Sequence, residues 1–523
     1  MNKDKQTTKS HTPRVSPGRL QRTSHPLVYE VNTRVLLNEL STDAGKRVTL
    51  ATIPDSVLDE WADLCFDAIW LMGVWTTGTI GEEMARTHPG LAGEYRKVLP
   101  DLKEEDIFSS PYAVKSYMVA PSLGGNKSLL VLRKRMEQRG MGLFLDFVCN
   151  HTARDHKWVK TRPDYYINVD PATAREQRDS FFVTETAMGE RGIAFGKDPY
   201  FPGWTDTGQL NFDHQGMRQA LIHELLKIAE LCDGVRCDMA MLVLDEVFTK
   251  TWGTLAGTNE GVHATGEFWR EAIDAVRSVH PKWMFIAEAY WDLEWPLQQL
   301  GFDYTYDKRL YDRLLREGAS SVYDYLKAEK DYQQRSLRFI ENHDEPRAAR
   351  VLSNEAWHVA AATAMATVPG MALFHEGQLD GRTAKLPVQL ARRPDEKPAV
   401  QIRRFYEKLI SSVACPIIQH GEWSLLDIRP AWQGNESWRN FLAHLWQRGT
   451  DEARLIVINY APLNSQCYIG LSLEKTSGVT IEFRDLMSTA TYTRERQALL
   501  SKGLFFDLPP YGLHMFDVRP VHK

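Results

Sequence analysis

The stretch MRQALIHELLKIAELCDGVRCDMA, residues 217–240, contains one helix followed by one strand and decides the fold class. Apolar side chains recur at steps of one, three and four, which predicts an amphipathic helix over Met217–Leu231. The stripe consists of Leu221, Ile222, Leu225, Ile228, Ala229 and Cys232. The apolar run Gly234–Ala240 then predicts a buried strand. A helix that leads directly into a buried strand is typical of α/β proteins with a parallel sheet.

The same alternation continues through residues 27–412. The other apolar runs that predict strands are Leu27–Leu36, Ala68–Trp75, Leu143–Cys149, Met284–Ala289, Phe302–Tyr306, Leu337–Asn342 and Met371–His375. Helical patterns between them include Lys127–Gln138, Gly266–Val279, Leu310–Ala328 and Glu355–Ala366. Eight strands that alternate with helices predict a (β/α)8 TIM barrel. A doubly wound open sheet also alternates, but the count of eight and the polar strand ends favour closure.

Two long inserts interrupt the predicted barrel. One, Thr76–Ser110, follows the second strand. The other follows the third strand over residues 152–211 and is rich in Asp, Arg, Tyr, Phe, Gly and Pro. Because this length exceeds that of an ordinary connection between a strand and a helix, it predicts a lid subdomain over the barrel mouth.

The two ends of the chain differ in composition from the barrel. Residues 1–26 contain six Lys or Arg, one Asp and many Ser, Thr and Pro, which predicts a disordered tail. In residues 413–523, short strands with turns replace the long helices, so we expect an all-β sandwich domain. The strand runs are Leu455–Tyr460, Gln466–Leu471, Val479–Arg484, Ala490–Thr493 and Leu513–Val518.

The composition excludes several classes of protein. Of the 523 residues, 43% are hydrophobic and 25% are charged, as in ordinary globular proteins. The 63 Lys and Arg against 68 Asp and Glu give a net charge of -5, which does not indicate nucleic-acid binding. No apolar run approaches the roughly 20 residues that span a bilayer, so we expect no membrane partner. Six cysteines without a paired CxxC motif favour a reducing, cytoplasmic location.

Charged and polar residues stand where four of the predicted strands end. They are Asp146 through His151, Arg236 with Asp238, Glu288, and Asn342-His343-Asp344. In a closed barrel, functional side chains collect at the carboxyl ends of the strands. Because desolvating several carboxylates together is costly, we interpret this convergence as a functional site.

Two of these acids suit opposite chemical roles. Arg236 and Asp238 lie two residues apart on a strand and share a face, so the permanent charge of the guanidinium keeps Asp238 ionised as a candidate nucleophile. Glu288 lies between Ala287 and Ala289, and less polar surroundings raise a carboxyl pKa, as a general acid requires. Two carboxyl groups in opposite protonation states predict retaining cleavage of a glycoside.

Other residues of the same rim suit a carbohydrate substrate. Asp344 is a third carboxylate that can bind sugar hydroxyls, and His151 and His343 are hydrogen-bond donors to others. Flat faces on which sugar rings can lie are supplied by Trp75, Tyr112, Trp204, Tyr290 and Trp291.

The four strand ends resemble, in the same order, the four signature segments of the α-amylase superfamily of glycoside hydrolases. The matching residues are Asp146 with Asn150-His151, Gly234 through Asp238, Glu288, and Asn342-His343-Asp344. Weaker matches are Gln209-Leu210-Asn211 at the end of the lid, Ser110-Pro111-Tyr112, and Pro369 through Leu373 at the eighth strand. The resemblance covers roughly residues 27–520.

The resemblance implies a role for each of these residues. Asp238 is expected to form a β-glycosyl-enzyme intermediate, Glu288 to protonate the leaving oxygen and then activate the acceptor, and Asp344 to favour a distorted sugar ring. The supporting residues that it implies are Arg236, His151, His343, Tyr112 and Asp146.

The chain also departs from the pattern of classical starch-degrading members. Met241 and Leu242 stand where those enzymes have Lys-His, of which the lysine contacts leaving-side sugars and the histidine carbonyl helps to bind calcium. Asn150 matches a calcium ligand of the family, yet the residue also recurs in calcium-free members. The six to eight oxygens that calcium takes cannot be assembled from the sequence. We therefore expect no cofactor, with calcium at Asn150 as the open alternative.

The first functional hypothesis is a retaining glycosidase for α-linked glucosides, maltooligosaccharides or short α-glucans. The alternative is a transglycosylase or sugar isomerase that uses the same intermediate, because the strand-end segments describe only the first half-reaction. A third hypothesis is a sugar-binding protein without activity. The presence of all three acids, Asp238, Glu288 and Asp344, argues against it.

Overall fold

Eight parallel strands close into a barrel in this computed structural model, which describes residues 23–256, 263–471 and 478–521. The barrel strands, labelled β1 to β8 in chain order, are Leu27–Asn32, Ala68–Met72, Gly142–Val148, Gly234–Asp238, Met284–Ala287, Tyr304–Tyr306, Ser336–Arg338 and Met371–His375. Each strand pairs in parallel with the next, and β1 pairs with β8 to complete the closure. The predicted (β/α)8 barrel is therefore confirmed.

Helices follow the barrel strands and bury apolar stripes against them. They are Thr33–Ala44, Asp55–Asp63, Thr79–Thr87, Pro89–Val98, Gly125–Glu137, Lys157–Thr161, Pro171–Glu176, Gln215–Ala229, Asp245–Ala256, Phe268–Val279, Glu294–Leu300, Lys308–Arg316, Ala319–Tyr325, Lys330–Gln334, Ala348–Val351, Glu355–Thr367, Val400–Val413, Pro416–His420 and, near the end of the chain, Arg496–Lys502. In Gln215–Ala229 the buried side chains include Leu221, Leu225 and Ile228, as the stripe predicts. No helix within the described residues is both long and apolar enough to cross a membrane.

Apolar side chains fill the barrel interior. One buried cluster joins Val28, Phe144, Ile286, Leu337 and Leu373, which come from five different strands. Because these side chains occupy the interior, the polar residues that the sequence concentrates at the strand ends collect at the carboxyl-terminal mouth.

Several predicted elements differ from the structure in their bounds, and two of these differences have clear local reasons. The predicted strand Leu27–Leu36 ends at Asn32, because the Asn32 side chain accepts a hydrogen bond from the Val35 amide and caps the helix that starts at Thr33. The single predicted helix Leu310–Ala328 is two helices. They are separated at Gly318, whose φ of 87° is incompatible with a continuous helix.

Both inserts fold over the carboxyl-terminal side of the barrel strands that they follow. The second insert contains a three-stranded sheet of Asn168–Val169, Phe181–Thr186 and Gly189–Ala194. Its base is a two-stranded sheet in which His151–Ala153 pairs with Thr207–Gln209. The first insert is bounded by a two-stranded antiparallel sheet of Trp75–Thr77 and Val114–Val119. The expected lid after β3 is thus confirmed as part of the fold.

Antiparallel strands form the rest of the chain after the helix Pro416–His420. The strands, labelled β9 to β17, are Glu422–Leu425, Ile428–Pro430, Phe441–Arg448, Glu452–Asn459, Ser465–Ile469, Thr480–Asp485, Thr491–Glu495, Leu504–Leu508 and Leu513–Val521. They make a six-stranded and a three-stranded sheet. One apolar cluster contains side chains of both sheets, such as Phe483, Phe516, Cys467 and Phe506, so the two sheets form a sandwich.

The prediction of a tail over residues 1–26 is wrong for its last four residues. Residues 1–22 lie outside the described residues. The Ser24 amide donates to the Gln419 carbonyl at 2.9 Å, and buried His25 contacts the Ala366 carbonyl through Nε2 at 2.9 Å. These hydrogen bonds hold the segment that leads into β1 against the barrel and the helix Pro416–His420.

Candidate active site

The two acids that the sequence singled out meet at the barrel mouth. Asp238 is the last residue of β4, and Glu288 follows directly after β5. Cys237 lies opposite Ala287 in the register that joins these two strands. The parallel pairing therefore sets the carboxyl groups of Asp238 and Glu288 side by side, and both are buried.

The guanidinium of Arg236 lies among four carboxyl groups. Its Nη1 is 2.7 Å from Asp238 Oδ1, and its Nη2 is 2.7 Å from Glu288 Oε2. Asp146 and Asp344 approach the same group at 3.7 and 3.9 Å. Because one buried cation faces several acids, the negative charge exceeds what Arg236 neutralises, and the site favours a proton on at least one carboxyl group.

Glu288 is the acid that best holds this proton near neutral pH. Burial raises the pKa of Glu288 to about 7, against the charge of Arg236 and with support from the charges of Asp238 and Asp344. The Met239 amide donates to Oε2 at 2.6 Å, and the Tyr290 hydroxyl donates to Oε1 at 2.9 Å. These two donors fix the orientation of the carboxyl group beside Asp238.

Asp344 and Glu30 contact opposite ring nitrogens of His343 at the barrel mouth. Its Oδ2 lies 2.9 Å from Nε2 of buried His343, and Nδ1 of His343 donates to Glu30 Oε1 at 2.5 Å. Burial alone would lower the pKa of His343, but the carboxylates of Asp344 and Glu30 raise it to about 10. The side chain of Asp344 is 45% exposed, and although partial desolvation opposes its ionisation, charged His343 holds the pKa of Asp344 well below its usual range. Asp344 is therefore an ionised, oriented acceptor of hydrogen bonds.

Tyr112 forms a flat wall of the same mouth. Its ring stacks on the imidazole of His343 with 5.4 Å between centroids and an angle of 22° between the planes. The Tyr112 hydroxyl lies 2.6 Å from His343 Nε2, and the Arg236 guanidinium lies 5.2 Å from the ring centroid. Tyr112 thus contacts both His343, which is paired with Asp344 and Glu30, and the guanidinium of Arg236.

The remaining predicted residues lie at the edge of this cluster. Asp146 Oδ2 accepts from the Gly73 amide at 3.2 Å, and burial raises the pKa of Asp146 to about 6 against the charge of Arg236. His151 is buried at the base of the lid, with its ring 5.1 Å from that of Trp204. Burial lowers the pKa of His151, so its imidazole is neutral at pH 7.

The predicted alternative of calcium at Asn150 does not fit the local contacts. The Asn150 and Gln209 side-chain amides hydrogen-bond each other, with Gln209 Nε2 donating to Asn150 Oδ1 at 3.0 Å and Asn150 Nδ2 donating back at 3.2 Å. The oxygen that calcium would need is thus engaged by a neutral donor. The part of the chain that the structure describes contains no group of three or more His, Cys, Asp or Glu residues that could hold a metal ion.

Three residues of the site were not predicted. Glu30 on β1 binds His343, the Tyr306 hydroxyl accepts from Arg236 Nε at 3.3 Å, and Lys385 Nζ donates to the Asp344 carbonyl. A sequence signal existed for Glu30, because it is a single charge inside the buried strand LVYEVN. Lys385 lies in a long loop after β8, where no pattern marks it.

Comparison with known proteins assigns the family. A family model of the alpha-amylase catalytic domain matches residues 56–412. Alpha-amylase MalA of Haloarcula japonica is 27% identical over 278 residues, which cover 51% of this chain and 36% of MalA. An alpha-1,4-glucan:maltose-1-phosphate maltosyltransferase of Arcanobacterium haemolyticum is 26% identical over 187 residues, which cover 35% of this chain and 21% of that protein. The chain thus covers about a third of the first relative's length and about a fifth of the second's.

A solved structure with the same architecture is the maltogenic alpha-amylase AmyB of Thermotoga neapolitana. It superposes with a TM-score of 0.66 at 18% identity, and the alignment covers 96% of this chain and 100% of that one. At this identity the likeness concerns the fold. Because the family model spans more than half of the residues, including every strand from β2 to β8, this chain belongs to the alpha-amylase catalytic-domain family.

Proposed function

We propose that this protein is a retaining glycosidase that cleaves α-glucosidic linkages in α-glucans, maltooligosaccharides or α-glucosides. The observation that carries the proposal is the pairing of Asp238 and Glu288 across the guanidinium of Arg236, with the pKa of Glu288 raised to about 7. Retaining cleavage needs an ionised nucleophile and a protonated acid about 5–5.5 Å apart. Two acids that contact adjacent nitrogens of one guanidinium fit this requirement.

In the first step, an oxygen of Asp238 attacks the anomeric carbon while Glu288 donates its proton to the glycosidic oxygen. The bond from the anomeric carbon to that oxygen breaks as the bond to Asp238 forms. The products are a β-glycosyl-aspartyl intermediate and a leaving sugar with a free hydroxyl group. Asp344, held ionised by His343, is oriented to bind hydroxyls of the distorted ring.

In the second step, ionised Glu288 takes a proton from water while the water oxygen attacks the anomeric carbon from the opposite face. The bond to Asp238 breaks, and both acids return to their initial protonation states. The product has the α configuration because the anomeric carbon has been inverted twice.

Transfer to a sugar acceptor is the second candidate function. It uses the same glycosyl-aspartyl intermediate, with a sugar hydroxyl in place of water in the second step. Glucanotransferases and trehalose-synthase-like isomerases would differ from a hydrolase only in this acceptor. The similarity to the maltosyltransferase of Arcanobacterium haemolyticum favours keeping this candidate.

Separation of the products formed from maltose and from maltooligosaccharides tests the proposal. We expect shorter sugars and free glucose if water is the acceptor. Longer chains or trehalose would support the transferase instead. Unchanged sugars, at protein concentrations where binding is measurable, would contradict both enzymatic functions and support a sugar-binding protein.

The pH profile of kcat/KM is expected to have a descending limb near pH 7. Because Glu288 must carry a proton before the first step, and its pKa is about 7, the active form is lost as the pH rises through this value. Above the midpoint, kcat/KM should fall by about tenfold per pH unit. Measurement of kcat/KM for maltotriose from about pH 5 to pH 9 checks this limb.

The substitution Tyr290→Phe tests whether the ionisation of Glu288 causes the descending limb of the kcat/KM profile. The Tyr290 hydroxyl donates to Glu288 and stabilises its ionised form, so removing it should raise the pKa of Glu288 and move the descending limb to higher pH. Tyr492→Phe, on the exposed strand β15 (Thr491–Glu495), is the matched control and should leave the profile unchanged. A limb that stays in place or moves to lower pH would argue against Glu288 as the acid.

The cysteines support a cytoplasmic location. No disulfide joins any of the six, all of which lie within the described residues, and four of them are buried. Thiols persist in compartments that are kept reducing. We therefore propose that the protein works in the cytoplasm.

A further inference from the structure

Glu30 is the one charged residue of β1, and its side chain is fully buried. Its Oε1 accepts from Nδ1 of His343 at 2.5 Å, and its Oε2 has no hydrogen-bond partner among the described residues. A carboxylate that is buried in this way is costly unless a positive charge compensates it. The contact therefore favours a charged imidazole at His343.

Two aromatic rings hold the imidazole of His343 in one orientation. Tyr112 stacks on it at an angle of 22°, and the ring of Trp70 meets it at 79° with 5.6 Å between centroids. Rotation of the imidazole, which would exchange its two nitrogens, requires these neighbours to move. Nδ1 therefore stays on Glu30, and Nε2 stays 2.9 Å from Oδ2 of Asp344.

Neither neutral form of His343 can donate to both acids. A neutral imidazole carries one N–H group, so a proton on Nδ1 leaves the lone pair of Nε2 against the carboxylate of Asp344. A proton on Nε2 leaves the lone pair of Nδ1 against the carboxylate of Glu30. Only the imidazolium donates from both nitrogens. The positions of the three side chains thus select the charged form.

Five further titratable or charged groups face these three side chains from other segments. They are Tyr112, Asp146, Arg236, Tyr306 and Lys385. The two tyrosines are neutral, because burial raises the pKa of both hydroxyls well above its usual value. Asp146 faces Arg236 at 3.7 Å. The groups that bear most directly on the charge of His343 are therefore the two other cations.

Both of these cations approach Asp344. Arg236 Nη2 lies 3.9 Å from Asp344 Oδ2, and Lys385 Nζ donates to the Asp344 carbonyl. Three positive groups therefore share the negative charge of Asp344. Glu30 forms an ion pair with His343 and with no other cation of the described residues. Its charge is thus the one that acts on His343 alone.

We propose that Glu30 is a positioning residue, which keeps His343 positively charged so that His343 can hold Asp344 in place for the hydroxyls of the sugar ring. The role of Asp344 in this inference rests on the proposed function. Glu30 is fully buried and touches no substrate, so it acts through His343. A charge-assisted hydrogen bond is about twice as strong as a neutral one, so loss of the charge loosens Asp344.

The substitution Glu30→Gln tests this role by removing the charge alone. Glutamine keeps the volume of the side chain, its oxygen can accept from a charged imidazole, and its NH2 group can donate to a neutral one. NMR of the imidazole nitrogens reports the protonation of His343, and a spectrum of His343→Asn assigns the signal. In the wild type the ring should stay protonated from about pH 5 to pH 9. In Glu30→Gln its pKa should fall by about one to three pH units, as expected when one close charge is lost.

Kinetic measurements connect this charge to the reaction. The quantity to measure is kcat/KM of Glu30→Gln for maltotriose divided by that of the wild type at the same pH, which cancels the limb caused by Glu288. The ratio should be close to one at about pH 5, where His343 is protonated in both proteins. It should fall by about tenfold as the pH rises through the pKa that NMR gives for His343 in the variant, because the hydrogen bond to Asp344 loses its charge.

Glu39→Gln is the matched control. Glu39 lies on the helix Thr33–Ala44 that follows β1, and it pairs with Arg393 at 2.6 Å instead of His343. The control should keep the wild-type pKa of His343 and the wild-type kcat/KM. If Glu30→Gln does not fold, Glu30→Asp keeps the charge but draws it back by one methylene, and it should lower the pKa of His343 by a smaller amount.

The two readouts separate this inference from the proposed function. Loss of the His343 proton near pH 7 in the wild type, or an unchanged pKa in a folded Glu30→Gln variant, would overturn the role of Glu30. A loss of kcat/KM that is equal at every pH would also overturn it, since that result indicates a purely structural role. A wild type that leaves maltotriose unchanged, although NMR shows His343 charged by Glu30, would overturn the proposed function instead.

Discussion

Replacement of Asp238 by asparagine is expected to lower kcat on maltooligosaccharides by about 10⁴-fold or more, because no covalent intermediate can form. A neutral amide oxygen is a poor nucleophile for an anomeric carbon. The substitution keeps the side-chain volume, and the amide oxygen can still accept from Arg236 Nη1, which now contacts Asp238 Oδ1 at 2.7 Å. The fold should therefore survive, and circular dichroism with thermal unfolding checks this alongside the steady-state kinetics.

Asp324→Asn is the matched control for this variant. Asp324 is exposed on the helix Ala319–Tyr325 and pairs with Lys327 at the surface, where one ion pair contributes little stability. Its activity should equal that of the wild type. In the wild type, 5-fluoro-α-glucosyl fluoride should leave a sugar on the peptide that contains Asp238. Activity of Asp238→Asn within about tenfold of the wild type would refute the assignment of the nucleophile.

The barrel could be predicted because its strands are buried apolar runs, and the eighth matches the predicted Met371–His375. Failures occurred where side-chain hydrogen bonds or buried polar residues decide the outcome. The Asn32 cap ends β1 early, although apolar residues continue. Strand β11, Phe441–Arg448, was missed because buried His444 interrupts its apolar run, and the strand shows no alternation of buried and exposed residues that would mark it instead.

The residues of the candidate site at the barrel mouth could also be predicted, because each lies at or shortly after the end of a strand. The contacts between distant segments could not. Glu30 and His343 are 313 positions apart, and only closure of the barrel between β1 and its neighbours brings them together. The pairing of Tyr200 with Trp291 likewise depends on how two loops fold toward each other, for which local sequence carries no signal.

Glu288→Gln should reduce kcat on maltooligosaccharides by about 10²–10⁴-fold, because it removes the proton that the leaving oxygen needs. The glutamine oxygen can still accept from the Met239 amide, and its NH2 group can donate to the Tyr290 hydroxyl, which then accepts, so the local structure should persist. Substrates with good leaving groups, such as α-glucosyl fluoride, do not need this proton. Their first step should proceed at close to the wild-type rate, which burst kinetics would reveal.

Azide should restore turnover of α-glucosyl fluoride by the Glu288→Gln variant. The azide ion is already a nucleophile, so it needs no general base to attack the glycosyl-aspartyl intermediate. The bond from the anomeric carbon to Asp238 breaks as the bond to azide forms, and the carboxylate is released. Glu271→Gln, on the helix Phe268–Val279, is the control and should show no response to azide. Preserved sugar binding without any rescue would count against Glu288 as the acid.

The configuration of the azide product distinguishes the two acids more sharply than the rates do. In Glu288→Gln, azide attacks an intermediate that has already been inverted once, so the product should be the α-glucosyl azide. In Asp238→Asn, any azide that reacts must attack the bound substrate directly, and a single inversion should give the β-glucosyl azide. Proton NMR of the anomeric hydrogen separates the two. The same anomer from both variants would mean that Asp238 and Glu288 do not divide the chemistry as nucleophile and acid.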